Sequence, residues 1–398
     1  MRSFDCAVIG AGLIGSATAR YLSRDGGRIL VVGPDEPKNP RVHQGVFSSH
    51  YDQGRITRLI GRDTVYSRLA ELAIAQYGPL EQASHIRFHF PVGMLVAQAP
   101  YVPEGHMRDP LGTARALRRE FDFFDRGDRS WKKSFPFLDF PDEYSVIHEP
   151  APAGYINPRD LIRAQLSCAS QNGASIVRET AIRIRKTPGE GYGIETDAGG
   201  RHTAHKVVIA AGAFSNCYEL LEKKLAFQPE TESVLLGRVS DEDGARLAQA
   251  PTVIYLIDDP EIWDAYMTPP IRYPDGHFYV KLGANSAYDT KPTTLDAMGQ
   301  WFRNGDSDRS MDAMARALRS LWPGLEFLSM ETRRCILCRT PNGYPILDEV
   351  DDGLVVAAGG NGGCAKNSDA LGCLASGLTS GRAWPPELPR DLFKAQYA

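Results

Sequence analysis

Four short, largely apolar runs punctuate the chain, each closed by glycine. They are Cys6–Ile9 before Gly10, Arg28–Val32 before Gly33, Lys206–Ala211 before Gly212 and Leu354–Ala358 before Gly359. Continuous apolar runs of this length predict strands buried on both faces of a sheet. Helical periodicity appears instead at 66–83, from Arg159 to about Asn172 with Gly173 as its stop, near Asp312–Leu321, and over the small-residue segments Ser16–Ser23 and Ser368–Leu378. Shorter strands are predicted at Gly93–Val96, Ala174–Arg178 and Ala181–Arg185, with a hairpin around Gly189–Gly193 leading into Ile194–Thr196. Ser233–Val239, Thr252–Ile257 and Gly276–Gly283 form a strand-rich middle section. Strand–turn–helix features thus lie at both ends of the chain, a distribution that suits a domain assembled from separated segments.

The first strand runs directly into Gly10-x-Gly12-x-x-Gly15 and then a helix. In that context Gly10 makes the tight turn, Gly12 lets a pyrophosphate approach the backbone, and Gly15 lets helix pack on strand. The helix start supplies N–H donors and partial positive charge to phosphates. The customary acid at the end of the second strand is absent, because Gly33 stands there. Either Asp35 or Glu36 reaches a ribose from the loop, or a backbone group replaces the carboxylate, or the pair is an ordinary solvated turn.

Composition narrows the classes. A chain of 398 residues with 42% hydrophobic residues can bury a large core. Net charge of −4 and a pI near 6.2 argue against nucleic acid or an anionic membrane as partner. No apolar run approaches the ~18–20 residues of a membrane span. The N-terminus enters a strand at once, which is not the form of a cleavable signal. Seven scattered cysteines fit a reducing, cytoplasmic setting better than a disulfide framework. Cys335-x-x-Cys338 resembles half a metal motif, but no second pair stands at metal spacing, so no metal site is expected.

Four patches, in order and spacing, resemble the D-amino-acid-oxidase superfamily of FAD enzymes, most closely its monomeric sarcosine oxidase and N-methyl amino acid oxidase branch. They are DCAVIGAGLIGSATARYLS at the N-terminus, SSHYDQGRITR at 48–58, FYVKLG at 278–283, and CILCRTPNGYPILD at 335–348 with AAGGNGGCAK at 357–366. The resemblance runs from residue 4 to about 380 and is weakest between about 85 and 150. It implies an α/β (α+β) fold: a Rossmann-like FAD domain from 1–85, 150–222 and 330–398, and a strand-rich substrate domain with an antiparallel sheet from 86–149 and 223–329.

It also implies site roles. Ser48, His50 and Arg55 would border the flavin, Arg58 would grip a substrate carboxylate, and Lys366 would complete that clamp. A guanidinium fork matches a carboxylate with two charge-assisted bonds, although two arginines three apart are otherwise ordinary surface residues. Lys281 would stand over the flavin and assist oxygen reduction; a lysine in an apolar strand is costly to bury and usually has a task. Cys335 would bond covalently to the flavin's 8α-methyl carbon as thiolate, with Arg333 and Arg334 favouring ionisation and Cys338 as a candidate at the wrong register. Gly212, Gly360, Gly362 and Gly363 would allow close approach to the cofactor. Two family positions are changed, to Asn285 and Leu337, so the substrate pocket is expected to differ from that for sarcosine. The aromatic substrate contact falls nearest Phe278 and Tyr279.

The implied activity is FAD-dependent oxidation of the C–N bond of an amino acid or related carboxylated amine, secondary or cyclic, to an imine, with O2 reduced to H2O2. Hydride transfer from a neutral amine needs no catalytic base, and none is assigned. The alternatives are a flavin dehydrogenase of the same fold serving another acceptor, a non-catalytic flavoprotein subunit, and, less favoured, a nicotinamide dehydrogenase. Oligomeric state is left open.

Overall fold

The computed structural model describes residues 3–100, 109–187, 189 and 191–398. Phe4–Ile9 lies at the centre of a parallel array, between Ile29–Val32 and Arg201–Ile209. Ser175–Val177 extends the array on one side and Leu354–Ala358 on the other, with Ile346–Asp351 antiparallel beyond it. A hairpin of Ala181–Thr187 and Gly191–Thr196 pairs with the first half of Arg201–Ile209. Val8, Val31, Val208 and Val355 face a layer built from Leu13–Arg24, Pro158–Gln171 and Ser368–Ser380. Ala7, Ile9, Leu30 and Val207 pack into a second apolar layer with Tyr192 and Ile194. Burial on both faces is why these strands carry no polar alternation.

A second sheet of eight strands follows the order Ser329–Arg339, Gln228–Val239, Phe278–Ser286, Ile262–Arg272, Thr252–Leu256, Met94–Gln98, Ser145–Glu149 and Asp122–Phe124. It is antiparallel except where Thr252–Leu256 meets Met94–Gln98. Leu235, Val280 and Leu282 of this sheet bury against Met314, Leu318 and Leu321 of the helix Met311–Leu321. Arg55–Thr57, Gly154–Ile156 and His89–Phe90 make a small third sheet.

The buried strands and the helices Leu13–Arg24, Pro158–Gln171, Met311–Leu321 and Ser368–Ser380 stand where the pattern puts them. The expected helix at 66–83 is two helices, Thr64–Ile74 and Tyr77–Ser84. Pro79 accounts for the break: it has no N–H, and its ring clashes with the carbonyl four residues earlier. Ile262–Arg272 escaped the pattern because Pro269 and Pro270 interrupt it and its pairing slips between Trp263 and Tyr266. Ser329–Arg339, expected with the terminal segments, is hydrogen-bonded along Gln228–Val239 in the second sheet.

Candidate active site

The C-terminal ends of the parallel strands open onto a cavity of about 300 Å³. Ile9, Val32, Ala210 and Ala358 all reach it, in keeping with the general placement of ligands at the carboxyl edge of such sheets. Gly10–Leu13 and Val32–Pro34 contribute to its wall, as do Cys335–Cys338, Gly359, Gly360 and Gly362–Lys366.

The glycines divide their work as their positions suggest. Gly10 has φ +110°, and a Cβ there would meet Ala210 O at 2.4 Å. A Cβ on Gly15 would lie 1.8 Å from Gly10 O, so Gly15 serves the helix–strand contact and does not line the cavity. A Cβ on Gly12 would make only an ordinary contact, with Ser48 Oγ at 3.6 Å. Gly12 is also the N-cap of Leu13–Arg24, whose first turn has no acid and no capping side chain. That end therefore offers backbone donors to an anion. Gly33 packs its α-carbon on Ala11, where a Cβ would come within 2.5 Å of Ala11 N. Asp35 and Glu36 do not line the cavity: Asp35 pairs with Arg178 at 3.2 Å, and Glu36 holds Arg159 through two bonds of 2.7 Å. The open possibility that either acid turns to a ribose is thus not met here. A cavity that combines backbone donors at a helix N-terminus with buried cations on its wall fits a flavin dinucleotide.

Ser48, His50, Arg55, Arg58, Gly212, Cys335, Leu337, Gly360, Gly362, Gly363 and Lys366 all line the same cavity. Ser48 Oγ lies 2.6 Å from His50 Nδ1. Burial, with Arg159 and Arg55 nearby, lowers the His50 imidazole to about 3, so it is neutral. Arg58 donates Nε–H to Ile60 O at 2.9 Å, and Lys366 donates to Gly363 O at 2.7 Å. Tyr77 steadies the lysine by donating to its carbonyl at 2.7 Å. Burial lowers Arg58 to about 10, opposed by Glu149 and Asp264. Burial and the Arg58 charge lower Lys366 to about 7. Asn361, which the sequence reading passed over, shapes the glycine turn: its amide donates to Gly359 O at 2.7 Å and accepts from Thr340 N at 2.8 Å.

Lys281 departs from expectation. It is fully buried and does not line the cavity; its ammonium reaches back to Asp52 Oδ2 at 2.6 Å and to Gly54 O. Arg55 also binds Asp52, and Tyr273 donates to it at 2.7 Å. Burial and Arg55 push the lysine well below its ordinary range, and Glu232 and Cys335 work against them. Asp52 carries no local signal of this role, because Lys281 is 229 residues away in sequence.

Asn285 also lies off the cavity, accepting from Arg339 Nη2 at 3.1 Å. Phe278 stacks under Arg272, and Tyr279 donates to Asp275 at 2.8 Å, so neither is the aromatic wall. Tyr266 lines the cavity instead, because the pairing slip in its strand turns it inward. The cations near Cys335 are likewise not those expected. Arg333 pairs with Glu331 on the surface and Arg334 bonds Gly305 O, whereas Arg55 and Lys281 are the ones that favour the thiolate. Burial still raises the Cys335 thiol to about 11. Cys338 rises to about 12 without a cation among its causes.

A family model described as FAD dependent oxidoreductase matches residues 5–377. The monomeric sarcosine oxidase of Bacillus sp. (strain NS-129) is 23% identical over 389 residues, spanning 95% of this chain and 94% of that protein. Among solved structures, a variant of NikD, an unusual amino acid oxidase essential for nikkomycin biosynthesis, aligns with a TM-score of 0.80 and 20% identity over 100% of this chain and 98% of its own. L-proline dehydrogenase from P. horikoshii aligns at 0.71 with 16% identity, over 99% and 97%. At these identities both structures establish a shared fold.

Proposed function

Because the chain belongs to the FAD-dependent oxidoreductases, we propose that it oxidises the C–N bond of an amino acid or related carboxylated amine to an imine, with O2 reduced to H2O2. The observation that carries this reading is the pair of buried cations, Arg58 and Lys366, on the wall of one cavity with the glycine turn of Gly359–Gly363. Glu149 and Asp264 offset part of the repulsion between the two desolvated cations, and a substrate carboxylate would add an anion from the cavity side. Bound FAD supplies the two-electron acceptor and, once reduced, the donor to oxygen.

Arg58 and Lys366 hold the carboxylate and so set the direction of the amine and its α C–H. Ile254, Leu256, Tyr266 and Leu337 supply an apolar wall that excludes water and favours a bulky or cyclic amine over sarcosine. A neutral His50 leaves no general base among the expected residues, consistent with transfer from an uncharged amine. Cys335 is the candidate for covalent attachment to the flavin, and Lys281 for assisting oxygen. The division into a cofactor domain of separated segments and a strand-rich substrate domain is part of the same reading. Seven free thiols support a reducing, cytoplasmic setting.

The dehydrogenase alternative has one observation in its favour: Lys281 is paired with Asp52, which offsets the charge that would aid oxygen reduction. Purified protein offered N-methyl and cyclic amino acids should bleach its visible absorbance anaerobically, then regain it with stoichiometric peroxide in air. Bleaching that only an artificial dye reverses would favour the dehydrogenase. No bleaching with any carboxylated amine would overturn the proposal.

A further inference from the structure

We propose that Glu232 accepts the Cys335 thiol proton when that sulfur is joined to the flavin, an inference that rests on the covalent attachment proposed above. The two residues stand directly opposite each other in the ladder between Gln228–Val239 and Ser329–Arg339. Opposed residues of an antiparallel pair project from the same face with Cβ atoms roughly 4.5–5.5 Å apart. Both line the cavity, at 6% and 7% exposure. The same ladder places Pro229 opposite Cys338, so the second cysteine has no proton acceptor across the strand. One register therefore selects Cys335 over Cys338, a choice that the Cys-x-x-Cys spacing leaves undecided.

The surroundings suit a proton transfer. Thiolate is the nucleophile, and a thiol raised to about 11 by burial needs a base at neutral pH. Glu232 is itself raised by burial, which brings carboxylate and thiol closer in proton affinity. Tyr266 donates to Glu232 Oε1 at 3.0 Å and steadies its charged form. Arg55 acts on both groups from the small third sheet and Lys281 from the adjoining strand Phe278–Ser286, and Arg339 acts on Glu232 from the cysteine's own strand. Asp289 is a further carboxyl within electrostatic reach of Glu232.

The step balances as follows. The S–H proton passes to Glu232, the sulfur bonds the ring's 8α-methyl carbon, and one C–H of that methyl breaks. Its electron pair reduces the flavin by two electrons, and O2 takes them with both protons to leave as H2O2. The products are thioether-linked, oxidised flavin and peroxide.

The test uses full-length chain produced under riboflavin limitation, then given FAD in air. Linkage is followed by intact mass and by flavin fluorescence retained in acid-precipitated protein. Glu232→Gln is expected to bind FAD yet link it about 10²-fold more slowly at pH 7, the scale of a lost general base. Raising the pH towards thiol ionisation should restore it, and Glu232→Asp should restore part of it at pH 7. Linkage of Glu232→Gln at the wild-type rate would overturn the inference. Should that variant not bind FAD, the wild-type profile decides. A rate that levels off below the ordinary thiol range of about 8.5 supports a carboxylate acceptor, and one still climbing past it overturns that role. Wild-type protein that never links flavin overturns the attachment itself, which is a separate result.

Discussion

Two buried charge clusters use nearly the same parts and do different things. Behind the parallel sheet, Asp369 accepts from Arg20 Nη2 and Gln165 Nε2 at 2.7 Å each and from Tyr21 OH at 2.6 Å. Arg20 and Asp369 are 1% and 0% exposed, and the group ties together the helices Leu13–Arg24, Pro158–Gln171 and Ser368–Ser380. At the cavity, Asp52 accepts from Lys281, Arg55 and Tyr273. The first cluster is closed, with every partner on a packed helix. The second shares Arg55 with the cavity wall, so its electrostatics are completed by whatever the cavity holds. A buried ion pair is thus structural or functional according to what lies next to it, not according to its composition.

The sharpest way to break the comparison is to open the closed cluster. Asp369→Ala leaves Arg20 buried without its carboxylate, and losing one partner of such a pair costs about 3–5 kcal/mol. Denaturant unfolding should show a loss of this size, while the flavin spectrum and turnover of the remaining folded protein stay unchanged. A loss below about 1 kcal/mol would mean that water or Gln165 replaces the carboxylate.

Next in size is Lys281→Met. Asp52 keeps Arg55 as a partner, so the stability loss should be well below that of Asp369→Ala. If Lys281 assists oxygen as proposed, reoxidation should slow by about 10²–10³-fold, the effect of removing one electrostatic donor. Anaerobic reduction by substrate should change far less. Stopped-flow mixing separates the two halves. Unchanged reoxidation together with a large stability loss would make Lys281 the counterpart of Arg20.

The contrast also marks what one sequence can reveal. Lys281 was legible because a lysine inside an apolar strand is out of place locally. Arg20 and Asp369 were not, because their partnership spans 349 residues and neither neighbourhood signals it. The glycine turns, Arg58 and Lys366 announced themselves by local pattern and by resemblance, and the structure brings them to one cavity. Tyr266, Asp264 and Glu232 stayed hidden because their inward direction depends on strand register. For Tyr266 and Asp264 that includes a pairing slip, and Asp264 has φ +48°. Register is a tertiary property, since a shift of one residue sends every side chain to the other face.

A smaller effect is expected at Arg58. Arg58→Gln keeps a donor but loses the charge, and a hydrogen bond to a charged group is worth about 1.5–3 kcal/mol. A carboxylate inhibitor that lacks an oxidisable amine should therefore bind roughly 10–100-fold more weakly. Titration of the visible spectrum reads this directly. Unchanged affinity would remove Arg58 from the clamp and leave the anion to Lys366.

The smallest effect is also the most diagnostic, because it depends on the sign of one titration. Lys366 is lowered from 10.5 to about 7, chiefly by burial and then by Arg58. It carries charge below about pH 7 and loses it above, so the same inhibitor should weaken as pH rises through neutrality, by up to about tenfold per unit. Arg58, at about 10, stays charged across that range, and His50, at about 3, stays neutral. Asp289 is raised to about 7 as well, but it does not line the cavity, so Lys366→Met separates the two. That variant should bind weakly at pH 6 and show no step near 7. The same depression has a consequence for folding, because the unfolded lysine holds its proton to 10.5. Lys366 therefore penalises the folded state at pH 7 and below, and releases that penalty as pH climbs towards 10.5. A wild-type inhibitor profile that is flat from pH 6 to 8 would place the lysine outside the anion site, and the cavity's cation pair would reduce to Arg58 alone.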